Sequence, residues 1–198
     1  MILAVVCIFL MTVVTNARWN CCDYRFTGYN DVGKFNMVYF DRHRLRCDRN
    51  GMRQFKLDRG PGKIRFEYEC CRLPRRQRTH TFQTVYTYDG NGNLVYLDRQ
   101  TVSCGNNGII SGFNLLRNPR HDHIRFNVIC NQYKRLSCHS MQYTPYNDAG
   151  RGESVYLDRH RVKCSPGYFL NSWGLKRSGD HKHIRIAYRC CRPYKYPK

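Results

Sequence analysis

Two pairs of histidines are the residues whose spacing comes closest to a metal site. His121 and His123, and again His181 and His183, directly precede segments that we predict to be strands. Since residues i and i+2 of a strand share one face, each pair could bind a transition metal. No third ligand is implied by the spacing, and histidines in polar loops explain the pattern as well. We therefore predict neither a metal site nor a cofactor.

The sequence contains no constellation typical of an enzyme. The GxSxG and HExxH motifs and a phosphate-binding glycine loop are all absent. Two histidines and a lysine could act as acid, base and charge stabiliser in a ribonuclease. However, His43 and His160 occupy equivalent positions of a threefold internal repeat whose other copy has Gln100, which indicates an architectural role. We predict a protein without catalytic activity.

The net charge of the chain indicates the kind of partner. Lys and Arg number 34 against 14 Asp and Glu, which gives a formal charge of +20. Such a charge favours a polyanion: a sulfated glycan, an acidic protein, a mineral surface, an anionic membrane or a nucleic acid. For an exported protein we expect sulfated glycosaminoglycans, proteoglycans or other acidic matrix components, and no nucleic acid.

The N-terminal segment predicts export. Residues 1–17 are uncharged and mostly apolar, and Thr15-Asn16-Ala17 has the small-x-small pattern of a cleavage site. We interpret 1–17 as a secretory signal peptide and 18–198 as the mature, extracellular chain. The apolar stretch is short for a membrane span, which needs about 20 residues, so we predict none.

One segment occurs three times in the chain. Residues 38–47 (VYFDRHRLRC) return as 95–104 (VYLDRQTVSC) and as 155–164 (VYLDRHRVKC), at intervals of 57 and 60 residues. Each copy continues through an aromatic-x-Leu step to an Ile-Arg segment that ends in cysteine. We predict a single domain over 18–198, with repeats at about 19–74, 79–131 and 136–192.

Alternation of apolar and charged residues predicts strands in each repeat. In the first repeat Ile64, Phe66 and Tyr68 alternate with Arg65 and Glu67, as expected of a half-buried strand. We predict about four short strands per repeat, at the Tyr-rich lead-in, at VYLDR, at aromatic-x-Leu and at Ile-Arg. Twelve strands with pseudo-threefold symmetry fit an all-β, β-prism-like domain, or alternatively a β-trefoil-like one, with a shared core.

Each VYLDR segment carries an Asp-Arg pair that could clamp a ligand. The three pairs are Asp41-Arg42, Asp98-Arg99 and Asp158-Arg159. Because they recur at equivalent positions in all three repeats, we predict structural ion pairs instead, with Arg65, Arg125 and Arg185 as candidate partners.

The basic residues that do not recur are better candidates for binding a polyanion. Arginine suits bidentate capture of sulfate, and a cluster raises the local field. The candidates are Arg75, Arg76, Arg78, Lys134, Arg135, Arg192, Lys195 and Lys198, which could form one face with Arg44, Arg46, Arg161 and Lys163. The alternative is a scattered, solvated charge that only keeps the protein soluble.

The cysteines predict a disulfide framework. Eleven of the twelve remain once Cys7 is removed with the leader, and this density is typical of exported chains. Repeats one and three have a lead-in cysteine and a terminal double cysteine. Repeat two lacks the lead-in cysteine and the second cysteine of the terminal pair. Because these two are lost together, we expect them to be bonded to each other in the other repeats. The predicted bridges are Cys47–Cys70, Cys104–Cys130, Cys164–Cys190, Cys22–Cys71 and Cys138–Cys191. Cys21 is left over, which predicts a thiol or a Cys21-linked dimer unless it exchanges roles with Cys22.

The order of these elements resembles the dermatopontin family of extracellular-matrix proteins. The likeness consists of a polar strand, a cysteine, a Gly turn, an aromatic-x-aliphatic strand and a closing Cys-Cys-Arg. It spans 19–192, and residues 107–113 (NGIISGF) match best. The segment 164–168 with Ile184-Arg185 is also similar to the vitelline membrane outer layer proteins, whose fold is a β-prism. The resemblance implies a matrix or coat adhesion protein whose partners bear glycosaminoglycans.

The leading functional hypothesis is a secreted, basic matrix or adhesion protein that binds sulfated glycans by charge. The alternatives are a multivalent lectin or agglutinin with up to three sites, and a defence protein that acts on anionic membranes. Free neutral sugar should release a lectin from its ligand, whereas only salt should release a protein held by charge.

Overall fold

Strands dominate the chain, which confirms the predicted all-β, disulfide-stapled class. The structure is a computed structural model that describes residues 21–74 and 78–194. Its strands are β1 (Cys22–Phe26), β2 (Asn30–Asp31), β3 (Leu45–Arg46), β4 (Gly51–Gly60), β5 (Lys63–Cys71), β6 (Thr79–Gln83), β7 (Thr87–Tyr88), β8 (Val102–Ser103), β9 (Gly108–Arg117), β10 (His123–Gln132), β11 (Leu136–Cys138), β12 (Gln142–Tyr143), β13 (Asn147–Asp148), β14 (Val162–Lys163), β15 (Phe169–Arg177) and β16 (His183–Pro193).

The alternating pattern of the long strands places one face in the core. In β5, Ile64, Phe66 and Tyr68 are buried, whereas Arg65 and Glu67 between them are partly exposed. Successive side chains of a strand point to opposite faces, so a period of two buries one set and leaves the other in water. The predicted strand at this position is therefore confirmed.

Each of the three sheets is built on the long hairpin of one repeat. Strands β4 and β5 form the centre of the first sheet, β9 and β10 that of the second, and β15 and β16 that of the third. A short strand of another repeat completes each sheet, because β14 pairs with β4, β3 with β9 and β8 with β15. The repeats are therefore interlocked in a cycle: each contributes one strand to another repeat's sheet.

The three sheets meet at an aromatic cluster. Phe55, Phe113 and Trp173 hold the same position of the aromatic-x-Leu strand in their repeats, and their ring centroids lie 5.3, 5.0 and 5.1 Å apart. All three are buried, and the surrounding apolar cluster includes residues of every sheet. Three sheets around one core is the arrangement expected of the predicted β-prism-like domain. The choice between it and the β-trefoil-like alternative, and the pseudo-threefold symmetry of the repeats, stay predictions.

The VYLDR segments are 3-10 helices, so the prediction of strands there is wrong. These helices span Met37–Arg42, Leu94–Arg99 and Ser154–Arg159, and shorter 3-10 turns precede them at Gly33–Phe35, Gly90–Gly92 and Gly150–Gly152. In the first repeat the Asn36 side chain accepts a hydrogen bond from the Val38 backbone N–H and caps the helix. Residues i and i+3 of a 3-10 helix share a face, which buries Met37 and Phe40 together.

The predicted count of twelve strands is wrong as well. The described residues form sixteen strands, because short strands such as β2, β7 and β13 pair alongside the long hairpins. Segments of two residues are too short to show a period in the sequence. Their existence is decided by the long strand beside which they lie.

The two ends of the sheets differ in what they carry. The hairpin end holds the turns that join β4 to β5, β9 to β10 and β15 to β16. The segments that lead into the 3-10 turns are hydrogen-bonded to this end; Val32 N–H, for example, donates to Gly62 O. The opposite end, here called the cysteine end, holds the disulfides. The two ends therefore present different chemistry to solvent.

The five disulfides join the pairs that the repeat predicts. The inner bridges are Cys47–Cys70, Cys104–Cys130 and Cys164–Cys190, and the outer bridges are Cys22–Cys71 and Cys138–Cys191. Cys21 is exposed and lies outside these five bridges, and a Cys21-linked dimer stays a prediction.

A third outer bridge can be built in repeat two. Thr79 and Asn131 lie opposite each other on β6 and β10, where the other repeats have their outer disulfides, and are 52 residues apart in sequence. Thr79→Cys with Asn131→Cys is expected to form a disulfide and to raise the free energy of unfolding by about 2 kcal/mol. Denaturant unfolding against the size-matched Thr79→Ser, Asn131→Ser variant measures the gain, and an oxidised variant that gains nothing contradicts the prediction.

Candidate polyanion-binding site

In repeats two and three the Asp of the repeated Asp-Arg motif pairs with an arginine of another repeat. Asp98 pairs with Arg177 at 2.6 Å and Asp158 pairs with Arg59 at 2.6 Å. The candidate partners predicted for these carboxylates, which were Arg65, Arg125 and Arg185, are wrong. The reason is that each 3-10 helix lies against the end of a long strand from another repeat, as the contact of Ser154–Arg159 with β4 illustrates.

The arginines of the Ile-Arg strands stack on exposed aromatic rings, and Arg65 also pairs with Asp58 at 2.8 Å. The guanidinium of Arg185 lies 4.0 Å from the ring centroid of Tyr143 and 4.3 Å from that of Tyr146. Equivalent stacks are formed by Arg65 on Phe26 and Tyr29 and by Arg125 on Tyr86. These stacks were not predicted, although two aromatic residues three apart in the lead-ins of repeats one and three are a usable signal.

Acidic side chains are concentrated at the hairpin end. The chain has seven Asp and Glu after β5: Asp89, Asp98, Asp122, Asp148, Glu153, Asp158 and Asp180. All of them lie in or beside the hairpin turns and the 3-10 segments, and Asp148 of β13 pairs with His183 at the first residue of β16. Repeats two and three therefore place no carboxylate at the cysteine end.

The acidic side chains at the cysteine end belong to repeat one and are paired with arginines. The three pairs are Arg25–Asp23, Arg46–Asp48 and Arg53–Glu69, at 2.5, 3.0 and 2.5 Å. Arg161 similarly pairs with Glu67 at 2.9 Å on the first sheet. Two of the predicted binding residues, Arg46 and Arg161, are thus engaged with carboxylates.

Three exposed basic residues of the predicted set come together at the cysteine end of the third sheet. Lys134 and Arg135 precede β11, and Arg192 lies opposite Ser137 of β11 in its pairing with β16. Among the ion pairs of the described residues, none involves these three side chains. Together with Tyr168 and Tyr194 they are called the basic patch here.

The arginines of the basic patch are held against aromatic rings. The Arg192 guanidinium lies 5.1 Å from the Tyr168 centroid, and the Arg135 guanidinium lies 5.4 Å from the Tyr194 centroid. The Cys138–Cys191 disulfide joins the two strands beside Arg192. A guanidinium stacked on a ring keeps N–H donors at its edge, and these can bind two oxygens of a sulfate.

The remaining predicted residues do not all share this surface. Arg78 is exposed, and its carbonyl oxygen accepts a hydrogen bond from Gln132 N–H. Arg44 and Lys163 are exposed, but Lys163 lies on β14 of the first sheet and Arg44 immediately precedes β3 of the second. The residues that fall outside the described part of the chain are Arg75, Arg76, Lys195 and Lys198.

The histidine pairs do not lie on one face of a strand, so that premise is wrong. His121 and His181 have φ of 59° and 58° and belong to the hairpin turns, whereas β10 and β16 begin at His123 and His183. His123 Nδ1 lies 2.8 Å from the carboxylate of its neighbour Asp122.

One group of potential metal ligands does occur among the described residues, and it comprises Cys22, Cys71 and Glu69. The two cysteines are bonded to each other, so the group offers no thiolate for a metal.

No protein-family model, curated protein or solved structure matches this chain. In the described residues, no helix is long and apolar enough to cross a membrane. Geometry and the distribution of charge are therefore the grounds for assigning a function.

Proposed function

We propose that this protein is exported and binds sulfated glycans or other acidic matrix partners through the cysteine end of its sheets, without catalysis. The observation that carries the proposal is the separation of charge. All seven acidic residues after β5 lie at the hairpin end, whereas Lys134, Arg135 and Arg192 at the other end have no ion-pair partner in the described chain. A polyanion that approaches the cysteine end therefore meets a positive field that is not cancelled locally.

The stacked arginines support a sulfate ligand in particular. Because Arg135 and Arg192 are held on rings and flank a disulfide-bonded strand pair, less side-chain freedom is lost when they bind. The guanidinium fork matches two oxygens of a sulfate or carboxylate, which a lysine ammonium does not.

Export and a matrix role complete the proposal. Five disulfides fit an oxidising compartment, and the predicted signal peptide at 1–17 lies outside the described residues. The resemblance to the dermatopontin family adds cell or matrix adhesion as the expected consequence of glycan binding.

The test is the salt concentration that elutes the refolded mature protein from immobilised heparin and from a sulfonate resin of matched charge density. Lys134→Gln, Arg135→Gln and Arg192→Gln, combined, are expected to lower the salt needed on heparin more than on the sulfonate resin. A polyanion site contributes to affinity through each neutralised charge, so the salt dependence should also become less steep.

The matched control removes the same charge from the hairpin end. Lys34, Arg120 and Lys182 are exposed there, and their combined change to Gln gives the same net charge as the patch variant. The control is expected to elute from heparin nearly as the wild type does. Equal losses for the two triple variants would mean that the charge acts generically and would contradict a site at the cysteine end.

A further inference from the structure

We infer that repeat two carries a cleft for an uncharged saccharide of one or two pyranose rings, which goes beyond the polyanion site. The cleft has a volume of about 440 Å³ and lies at the cysteine end of the second sheet. Apart from Cys104 it is lined by His80, Phe82, Gly105, Asn106, Asn107 and Gln132. It is a shallow cleft that is open to solvent and not an enclosed cavity.

In repeat one the same place is closed by salt bridges. Asp23 lies opposite Cys70 as His80 lies opposite Cys130, so Asp23 and Arg25 are the counterparts of His80 and Phe82. Arg25 Nη1 donates to Asp48 Oδ2 at 3.2 Å, and Arg25 also pairs with Asp23. The lead-in strand is thereby tied by a salt bridge to the loop after the inner cysteine, across the place that corresponds to the cleft.

In repeat three the same place is closed by an aromatic ring. His139, whose N–H donates to Cys190 O, is the counterpart of His80, and the Tyr168 ring covers it at a centroid distance of 3.9 Å. Tyr168 directly precedes β15, and repeat two has Gly108, the first residue of β9, at the equivalent position. The cleft is open in repeat two because this repeat has neither the salt bridges of repeat one nor the tyrosine ring of repeat three at this place.

The loop that forms one wall of the cleft, which contains residues 105–107, is fixed by hydrogen bonds from the body of the protein. The side chain of Asn171, which is 2% exposed, donates to Gly105 O at 2.7 Å and to Gly108 O at 2.8 Å. The Tyr133 N–H donates to Asn107 O at 2.7 Å. Because these bonds satisfy the backbone of the loop, its side chains are positioned before any ligand arrives.

The polar groups of the cleft suit hydroxyl groups. The side-chain amides of Asn106, Asn107 and Gln132 make no hydrogen bond within the described residues, and each offers both donors and an acceptor, as a sugar hydroxyl does. Phe82 is 45% exposed and stacks on His80, which presents a flat apolar surface to the C–H face of a pyranose. No Asp, Glu, Lys or Arg side chain lines the cleft, which favours an uncharged ligand.

The test is a titration of the isotope-labelled mature protein with the methyl glycosides of glucose, galactose, mannose and N-acetylglucosamine at millimolar concentration. We expect at least one to shift the side-chain amide resonances of Asn106, Asn107 and Gln132 in a saturable way, with high salt leaving the affinity unchanged. Phe82→Ala is expected to raise the dissociation constant about tenfold. Met141→Ala is the matched control, because Met141 follows His139 as Phe82 follows His80, and the two are exposed by 46% and 45%.

Three results would overturn the proposal. The first is that none of the four glycosides shifts the cleft resonances. The second is that Phe82→Ala and Met141→Ala weaken binding equally, which would place the sugar elsewhere. The third concerns methyl glucuronide, which is titrated alongside the four as the charged comparison. If it alone binds and salt abolishes its binding, the saccharide belongs to the basic patch, and the proposed polyanion function stays intact.

Discussion

Trp173→Ala is expected to lower the free energy of unfolding by about 3–5 kcal/mol. Trp173 is 4% exposed, and its ring centroid lies 5.0, 5.1 and 5.4 Å from those of Phe55, Phe113 and Phe126. These rings come from all three sheets, so truncation leaves a cavity at the point where the sheets meet. Denaturant unfolding with the disulfides intact measures the loss.

Two controls separate packing from other effects of the change. Trp173→Phe places in repeat three the residue that repeats one and two have, and it removes an indole N–H that is buried without a hydrogen-bond partner. It is expected to cost less than about 1.5 kcal/mol. Tyr194→Ala, at a ring that is 53% exposed, is expected to change stability by less than about 0.5 kcal/mol. If Trp173→Ala cost no more than Tyr194→Ala, the sheets would not depend on this contact.

The second large effect is a loss of stability at acidic pH that is carried by two buried histidines. His43 Nδ1 lies 2.8 Å from Thr27 Oγ1, which itself accepts a hydrogen bond from Phe66 N–H and so directs its own proton at the ring. His160 makes the equivalent bond with Thr144 at 2.8 Å. In both rings Nε2 carries the proton of the neutral form and is buried without a partner. A second proton could bind only at Nδ1, where it would replace the hydrogen bond from the threonine hydroxyl instead of adding a contact.

The sign of the effect follows from the direction of the pKa shifts. Burial lowers the pKa of His43 and His160 from 6.5 to about 4. Between these values the unfolded chain binds more protons than the folded one, so stability is complete above pH 6.5 and falls as the pH drops towards 4. Shifts of this size correspond to about 3 kcal/mol for each histidine at pH 4.

The chain itself supplies the variant that tests this effect. Gln100 takes the third equivalent position, where its amide donates to the carbonyl oxygens of Val85 and Ile124 without any titratable group. His43→Gln with His160→Gln is therefore expected to flatten the dependence of unfolding free energy on pH between 6.5 and 4, while stability at pH 7.5 is nearly kept. Unfolding curves over this pH range measure it, with His181→Gln as an exposed control. A double variant that loses as much stability at low pH as the wild type would contradict the assignment.

The sequence predicted best the features that depend on residues within one repeat. The alternation of Ile64, Phe66 and Tyr68 predicted β5, and the joint loss of two cysteines from repeat two predicted the outer bridges. The 3-10 helices were missed because Val38, Tyr39 and Phe40 form an apolar run that suits a strand equally well. Only the Asn36 cap and the turn before it distinguish the two structures.

The candidate sites were less accessible to prediction. Lys134, Arg135 and Arg192 were named from the sequence, but their separation from the acidic residues could not be predicted. The acidic residues are spread along the chain, and they come together at one end only when the hairpins align. The cleft of repeat two was missed altogether. In the sequence Gly108 is an ordinary turn glycine. Its importance is seen only when it is compared with Tyr168, whose ring occupies the equivalent place in repeat three.

By itself the sequence determined the repeats, the alternating strands and the cysteine pairs, because each of these shows in the order of residues along the chain or in a comparison of its three copies. Tertiary structure alone decided which repeat contributes a strand to which sheet, where the carboxylates gather and which repeat keeps an open cleft. The physical reason is that three similar copies carry the same local signals. A contact such as Asp98 with Arg177 therefore depends on a distance in space that no spacing along the chain encodes.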